Sequence, residues 1–296
     1  MKKWLFLIIL IFLSACGSPE IPKWYVNTPK DNSLYFYAAA EGYSKQNAIK
    51  NALNDIASRI NIKISSNFVI NKGIHNQKTY SEIYQQINTQ ISNVGFNNYE
   101  ILKTEKQDDK YYVLLRVNKQ KLIQNLKTKI KIKLNTIDFN NGSAIKNVIY
   151  AYQTLFKLKK LKSDVFILES LGLNINSYLN TIQNLEKKAL SIIKSTGFKI
   201  VSDKFKTPAI QAFSKYLIIS DNAKNIIKIK IKIQKHLLFE SYIITAKATI
   251  TLDKPYTLSF LSKSVSSYKE AENFAKEEYR LRLLKLLKNI FKISVF

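Results

Sequence analysis

The 296-residue chain has one Cys, one Met, two His, two Trp, five Pro and seven Gly. A single thiol excludes an internal disulfide framework, and two His without a spare Cys exclude a zinc-finger array or a His-dense metal centre. So few glycines leave no Gly-rich repeat and no loop of the kind that cradles phosphates. No Gly-x-Ser-x-Gly elbow occurs, so no metal, no cofactor and no enzymatic activity are expected. What is present is 46% hydrophobic and 23% charged residues, enough apolar matter for a real core and against wholesale disorder. The length suits two ordinary domains better than one. Lys and Arg number 47 against 21 Asp and Glu, for a net charge of +26.

The N-terminus sets the compartment. Met1-Lys2-Lys3 is a basic start, Trp4 to Leu13 is an apolar run, and Leu13-Ser14-Ala15-Cys16 closes it. The run is too short for a membrane-spanning helix, which needs about 20 apolar residues. Its plan is that of a secretory signal peptide, residues 1–15. Cys directly after the small residues makes a lipobox, with cleavage between Ala15 and Cys16 and fatty acyl chains (palmitate among them) on Cys16. Gly17 follows, where an Asp favours inner-membrane retention in enteric bacteria, so the expected location is the cell outer membrane. Export also argues against a nucleic-acid partner, although the pI of 9.8 would suit one.

Residues 16–33, with Pro19, Pro22 and Pro29, read as an acylated tether. Leu34 to Ala40 predicts a strand and Ser44 an N-cap. Ala48, Ile49, Ala52, Leu53, Ile56, Ala57 and Ile60 then recur at helical spacing. Ile60, Ile62 and Ile64 alternate with polar residues and predict a half-buried strand, and Tyr80 to Ser92 a second helix. Tyr99 to Lys106 and Lys110 to Asn118 read as a hairpin through Gln107-Asp108-Asp109, completing a domain over 34–120. Residues 121–196 read as a helical bridge punctuated by Gly142 and Gly172, with Gly197 as the C′ residue of its last helix. A second domain, 197–296, holds strands at Phe198 to Val201, Tyr216 to Ser220, Asn225 to Lys235, Phe239 to Leu252 and Tyr256 to Ser266, arranged as an antiparallel meander, then a helix from Tyr268 to Phe291. The expected class is α+β: two small antiparallel-sheet-plus-helix domains bridged by a helical segment. Ser44, Ala48, Ala52, Arg59 and Ile60 align with Ser267, Ala271, Ala275, Arg282 and Leu283 at an offset of 223. That echo marks either two related modules or two helices that each pack on a sheet.

Pro22-Lys23-Trp24-Tyr25, then Tyr35-Phe36-Tyr37-Ala38-Ala39-Ala40-Glu41-Gly42, then Ser44 and the helix carrying Ala48 and Ala52, resemble the Lpp-twenty family of bacterial outer-membrane lipoproteins. Tyr111 to Val117 resembles that family's closing strand, and the similarity spans residues 16–120. Glu41 and Tyr43 depart from the small residues usual at those positions. The resemblance implies an envelope lipoprotein and supplies no catalytic residues. A related module occurs in the flagellar assembly protein T group.

His75 and His236 are 161 positions apart, Asp108-Asp109 read as a turn, and the neighbouring Glu277 and Glu278 point apart on a helix. Lys228, Lys230 and Lys232 alternate with isoleucines, so one strand face is basic and the other is core; Lys127, Lys129, Lys131 and Lys133 repeat the pattern. Such faces either are simply solvated or bind an acidic glycan or lipid head group. The functions that follow are an envelope scaffold or adhesion lipoprotein with envelope proteins as partners, a periplasmic binder of acidic glycolipid or cell-wall polymer, or a flagellar-motor accessory.

Overall fold

The computed structural model describes residues 21–72, 99–140 and 142–291, and the chain divides into two compact units. One comprises Met1–Ile132 with Ser163–Ile175, the other Lys133–Lys162 with Asn176–Phe296. The helical stretch 121–196 is thus shared between the units. The α+β class holds, with one sheet in each unit.

In the first unit, a single helical turn α1 (Lys23–Val26) precedes β1 (Tyr35–Gly42), α2 (Lys45–Lys72), and the hairpin of β2 (Tyr99–Gln107) and β3 (Lys110–Asn118). The three strands form an antiparallel sheet in the order β1-β3-β2. Asp108, with φ of +50°, turns the hairpin where the Asp pair predicts it. Ser44 caps α2, its Oγ accepting from the Asn47 amide at 3.1 Å. Ala48, Ala52, Ile56, Ala57 and Ile60 are buried, and α2 packs on β1 and β3. The predicted strand at 60–64 is instead a continuation of α2. Ile60 is buried while Ile62 is 64% exposed, because Ile56 and Ile60 extend the four-residue period of the helix and outweigh five residues of alternation. The predicted helix at Tyr80 to Ser92 lies outside the described residues.

The tether reading also stops short. From Lys23 the chain turns helically and docks: the Tyr25 ring meets Tyr112 edge-on at 5.0 Å, and Trp24 Nε1 donates to Glu105 Oε2 at 3.2 Å. After β3 comes α3 (Lys119–Asn135), so the lysines from Lys127 to Lys133 lie on a helix and not on a strand face. Leu122, Ile123, Leu126 and Ile130 are buried at helical spacing, and that burial decides the outcome. Lys129 Nζ reaches the fully buried Asp164 at 2.8 Å. Asp164 lies on α4 (Ala144–Ser170), which is followed by α5 (Asn176–Ser195).

The second unit carries β4 (Gly197–Ser202), α6 (Lys206–Phe213), β5 (Ile218–Ile219), β6 (Asn225–Leu238), β7 (Ser241–Thr251), β8 (Pro255–Ser264) and α7 (Tyr268–Phe291). The sheet order is β5-β4-β6-β7-β8. Strands β6, β7 and β8 are the expected meander, but β4 pairs in parallel with both β5 and β6, so the sheet is mixed. Gly197 is no left-handed cap; it opens β4, and Thr196 Oγ1 instead satisfies the end of α5 by donating to the Ile192 carbonyl at 2.7 Å. Gly142 and Gly172 do take positive φ, each +89°. Helix α7 packs on β7, β8 and α6, covering one face of the sheet. Ile229, Ile231, Ile244, Ala248 and Phe260 meet Ala271, Ala275, Tyr279 and Leu283 in one core.

Candidate functional site

The other face of this sheet is open. Along β6, Ile227, Ile229 and Ile231 are buried while Lys228, Lys230 and Lys232 are exposed, as the period-2 pattern requires. Register then adds lysines that lie far apart in sequence. Lys232 stands directly opposite Lys247 on β7, and Lys247 opposite Ser259 on β8. Lys230 faces Thr249, Lys228 faces Thr251, and on the far side Lys228 pairs with Val201 of β4. Lys199 and Lys263 share the face on β4 and β8.

Not one of the strands from β4 to β8 contains Asp or Glu. Among the described residues Lys228, Lys230, Lys232 and Lys247 find no carboxylate partner, whereas Lys235, on the core side, reaches Glu272 at 4.0 Å. Like charges directly opposite across a strand pair destabilise it, so the Lys232–Lys247 pair has a cost that nothing in the sheet offsets. Between these strands lies an open basin of about 560 Å³ lined by Lys232, Gln234, Thr245, Lys247, Ser259 and Leu261, with Arg282 at its rim. Alternate lysines on β6 repeat at about 6.7 Å, a ladder of ammonium groups.

The resemblance residues cluster in the first unit and do a different job. A Cβ on Gly42 would lie 2.5 Å from the Ala48 backbone nitrogen, so only glycine lets β1 run so close to the start of α2. Ala48 and Ala52, both fully buried, keep that helix close to the sheet. Pro22 is buried at the start of α1, and Trp24 walls a groove of about 490 Å³ shared with Lys23, Glu105 and Gln107. Lys110 Nζ donates to Glu41 at 2.7 Å, a bond that raises the lysine pKa. Ala15, Cys16 and His75 lie outside the described residues. His236 is exposed on β6, 3.4 Å from Thr245 Oγ1. Glu277 and Glu278 turn to different partners, Arg280 and Arg282. No cluster of three metal-ligating side chains occurs among the described residues.

Among the described residues up to Asn118, the first unit sets one long helix, α2, on a three-stranded antiparallel sheet, entered through a docked Pro-x-Trp turn. Residues 22–118, which span this α+β module, match the family model described as LPP20 lipoprotein. The N-terminal part of the chain is therefore Lpp-twenty-like, and the match marks it as lipoprotein-like; residues 119–296 lie beyond it. No curated protein matches the chain. Among solved structures, the secreted protein HP1454 from the human pathogen Helicobacter pylori is similar at 18% identity, over 86% of this chain and 99% of that one, with a TM-score of 0.46. Among the described residues no helix is long and apolar enough to cross a membrane.

Proposed function

We propose that the protein is a lipoprotein of the bacterial outer membrane, acylated at Cys16 after removal of a signal peptide, and that it works by binding and not by catalysis. Its ligand in this reading is an acidic glycolipid or cell-wall polymer held on the open face of the second-unit sheet. The observation that carries it is the pairing of Lys232 with Lys247 on a sheet without a single carboxylate. An anionic ligand laid across β6 and β7 removes that repulsion, and its charge groups meet ammonium groups spaced along the strand. Lysine gives charge without the planar fork of arginine, which suits a repetitive polymer better than one defined phosphate. The scaffolding, adhesion and flagellar-motor readings share the location, but no described surface singles one of them out.

The test removes charge locally. Lys228→Gln, Lys230→Gln and Lys232→Gln together lower the salt concentration at which the protein elutes from an immobilised polyuronate. Three lysines outside that sheet, Lys121→Gln, Lys127→Gln and Lys131→Gln on α3, serve as the control of equal charge. Equal elution of the two triple variants overturns the reading.

A further inference from the structure

The β6 arm of the β6–β7 hairpin outruns the core, while Tyr242 and Ile244 opposite it on β7 still pack inward. Burial alternates along β6 as far as Ile231, but every residue from Gln234 to Leu238 is exposed on both faces. The tip that projects is apolar: Leu237 is 61% exposed, Leu238 53% and Phe239 93%. The turn is made by Phe239 and Glu240, with φ of +45° and +60°. Two consecutive left-handed residues are normally Asn and Gly, because a Cβ there is strained. A bulky aromatic in that position, turned into water and packed on nothing, serves neither the turn nor the core.

Behind the tip sits a basic collar. Lys235, His236 and Lys263 lie one to two residue pairs below it, with Lys232 and Lys247 further down the same sheet. The carboxylates facing this end are Glu240 in the turn, Glu270 on α7, which accepts from Ser264 Oγ in the row of Leu237 and Tyr242, and Glu272 on α7, 4.0 Å from Lys235 Nζ. An apolar wedge backed by ammonium groups matches the layering of a lipid interface, acyl chains first and phosphates behind.

We propose that the β6–β7 hairpin tip inserts shallowly into an anionic lipid bilayer, with Leu237, Leu238 and Phe239 in the acyl boundary and the lysine collar at the phosphates. Glu240 holds the insertion at the interface, since a carboxylate does not follow the ring into hydrocarbon. The tip is tested separately from the polymer-binding face, because Leu237, Leu238 and Phe239 are not among the lysines tested there, although Lys232 and Lys247 belong to both.

The chain's only thiol is at position 16, so full-length protein with Cys16→Ser accepts a single spin label elsewhere. Labels are placed at Leu238→Cys and, as a water-facing reference in the other unit, at Tyr43→Cys, a position 80% exposed. The proteins are reconstituted into phosphatidylglycerol-containing vesicles and probed with oxygen, which concentrates in the bilayer, and with an aqueous nickel chelate. The label at 238 is relaxed by oxygen and shielded from nickel, the label at 43 shows the reverse, and Phe239→Asp returns 238 to the pattern of 43. A label at 238 as open to nickel as that at 43 overturns the proposal. So does shielding from both reagents, which marks a protein contact instead.

Discussion

Arginine and lysine have divided the labour in this chain. Its four arginines are all committed to the fold. Arg59 binds Asp31 at 2.6 Å, Arg116 binds Glu100 at 2.7 Å while stacking on Tyr35, and Arg280 and Arg282 bind Glu277 and Glu278. The bidentate fork is used where geometry matters, and lysine point charges line the open sheet face. At the same scale, Gly42→Ala sets a methyl group against the α2 backbone and costs about 2 kcal/mol, the usual price of overpacking, measurable by urea denaturation. Tyr256 gives a pH dependence. Burial, and then the bond from its hydroxyl to Asp253 at 2.9 Å, push its pKa up to about 12 from the ordinary 10.0. The folded state holds that proton more tightly than the unfolded one, so the contribution to stability is intact below pH 10 and is lost as pH rises toward 12. Tyr256→Phe therefore makes the thermal midpoint fall less between those two pH values than in the parent; an identical fall removes Tyr256 from the account.

At the scale of elements, the two arginines of the sequence echo prove to be equivalent in action. Arg59 on α2 donates to the Tyr37 carbonyl of β1, and Arg282 on α7 to the Ser259 carbonyl of β8. Both strands are sheet edges, both helices begin at a capping serine, and the alanines of both are fully buried. On β1 the protection is doubled, since Asp31 accepts from the Tyr37 amide at 2.9 Å, so a free edge that would invite another strand is already occupied. The two modules differ in chain order. In the first, edge strand and helix precede the hairpin β2–β3; in the second, the hairpin β6–β7 precedes edge strand β8 and helix α7. The layouts are circular permutations of one another. A further prediction belongs here: Phe239→Asn with Glu240→Gly gives the turn residues that tolerate positive φ and raises stability by about 1 kcal/mol by calorimetry, while abolishing bilayer contact at the tip. No gain in thermal stability means that the turn is not strained.

Helices with long one-sided periods and caps were legible in sequence: α7 spans Tyr268–Phe291, as its spacing predicts, and α2 starts where Ser44 predicts. The lysines of β6 were legible through alternation. Lys199, Lys247 and Lys263 were not, because register, and the parallel insertion of β4, are tertiary facts without a local signature. Helix α6 escaped as well; it is short and its N-cap is Phe205, whose φ of +55° no sequence pattern announces. Phe239 reads as the start of a strand because its turn lacks Gly, Asn and Pro.

At the scale of the molecule, the expected order from the N-terminus is acyl anchor, short linker, Lpp-twenty-like module, then the lysine-faced sheet. Cys16→Ala checks the first step: cells fed a labelled fatty acid yield a protein without incorporated label, and normal labelling of that variant would refute the anchor. A pull delivered through the N-terminal end enters the fold in stages. It meets the Trp24–Glu105 bond and the Tyr25–Tyr112 contact first, then the Asn32 and Asp31 bonds to Tyr35 and Tyr37, and only then the eight-residue pairing of β1 with β3. These contacts lie in series and break one after another, as stitches do. Under such a pull the docked N-terminal turn is the first contact to take the load, ahead of the sheet.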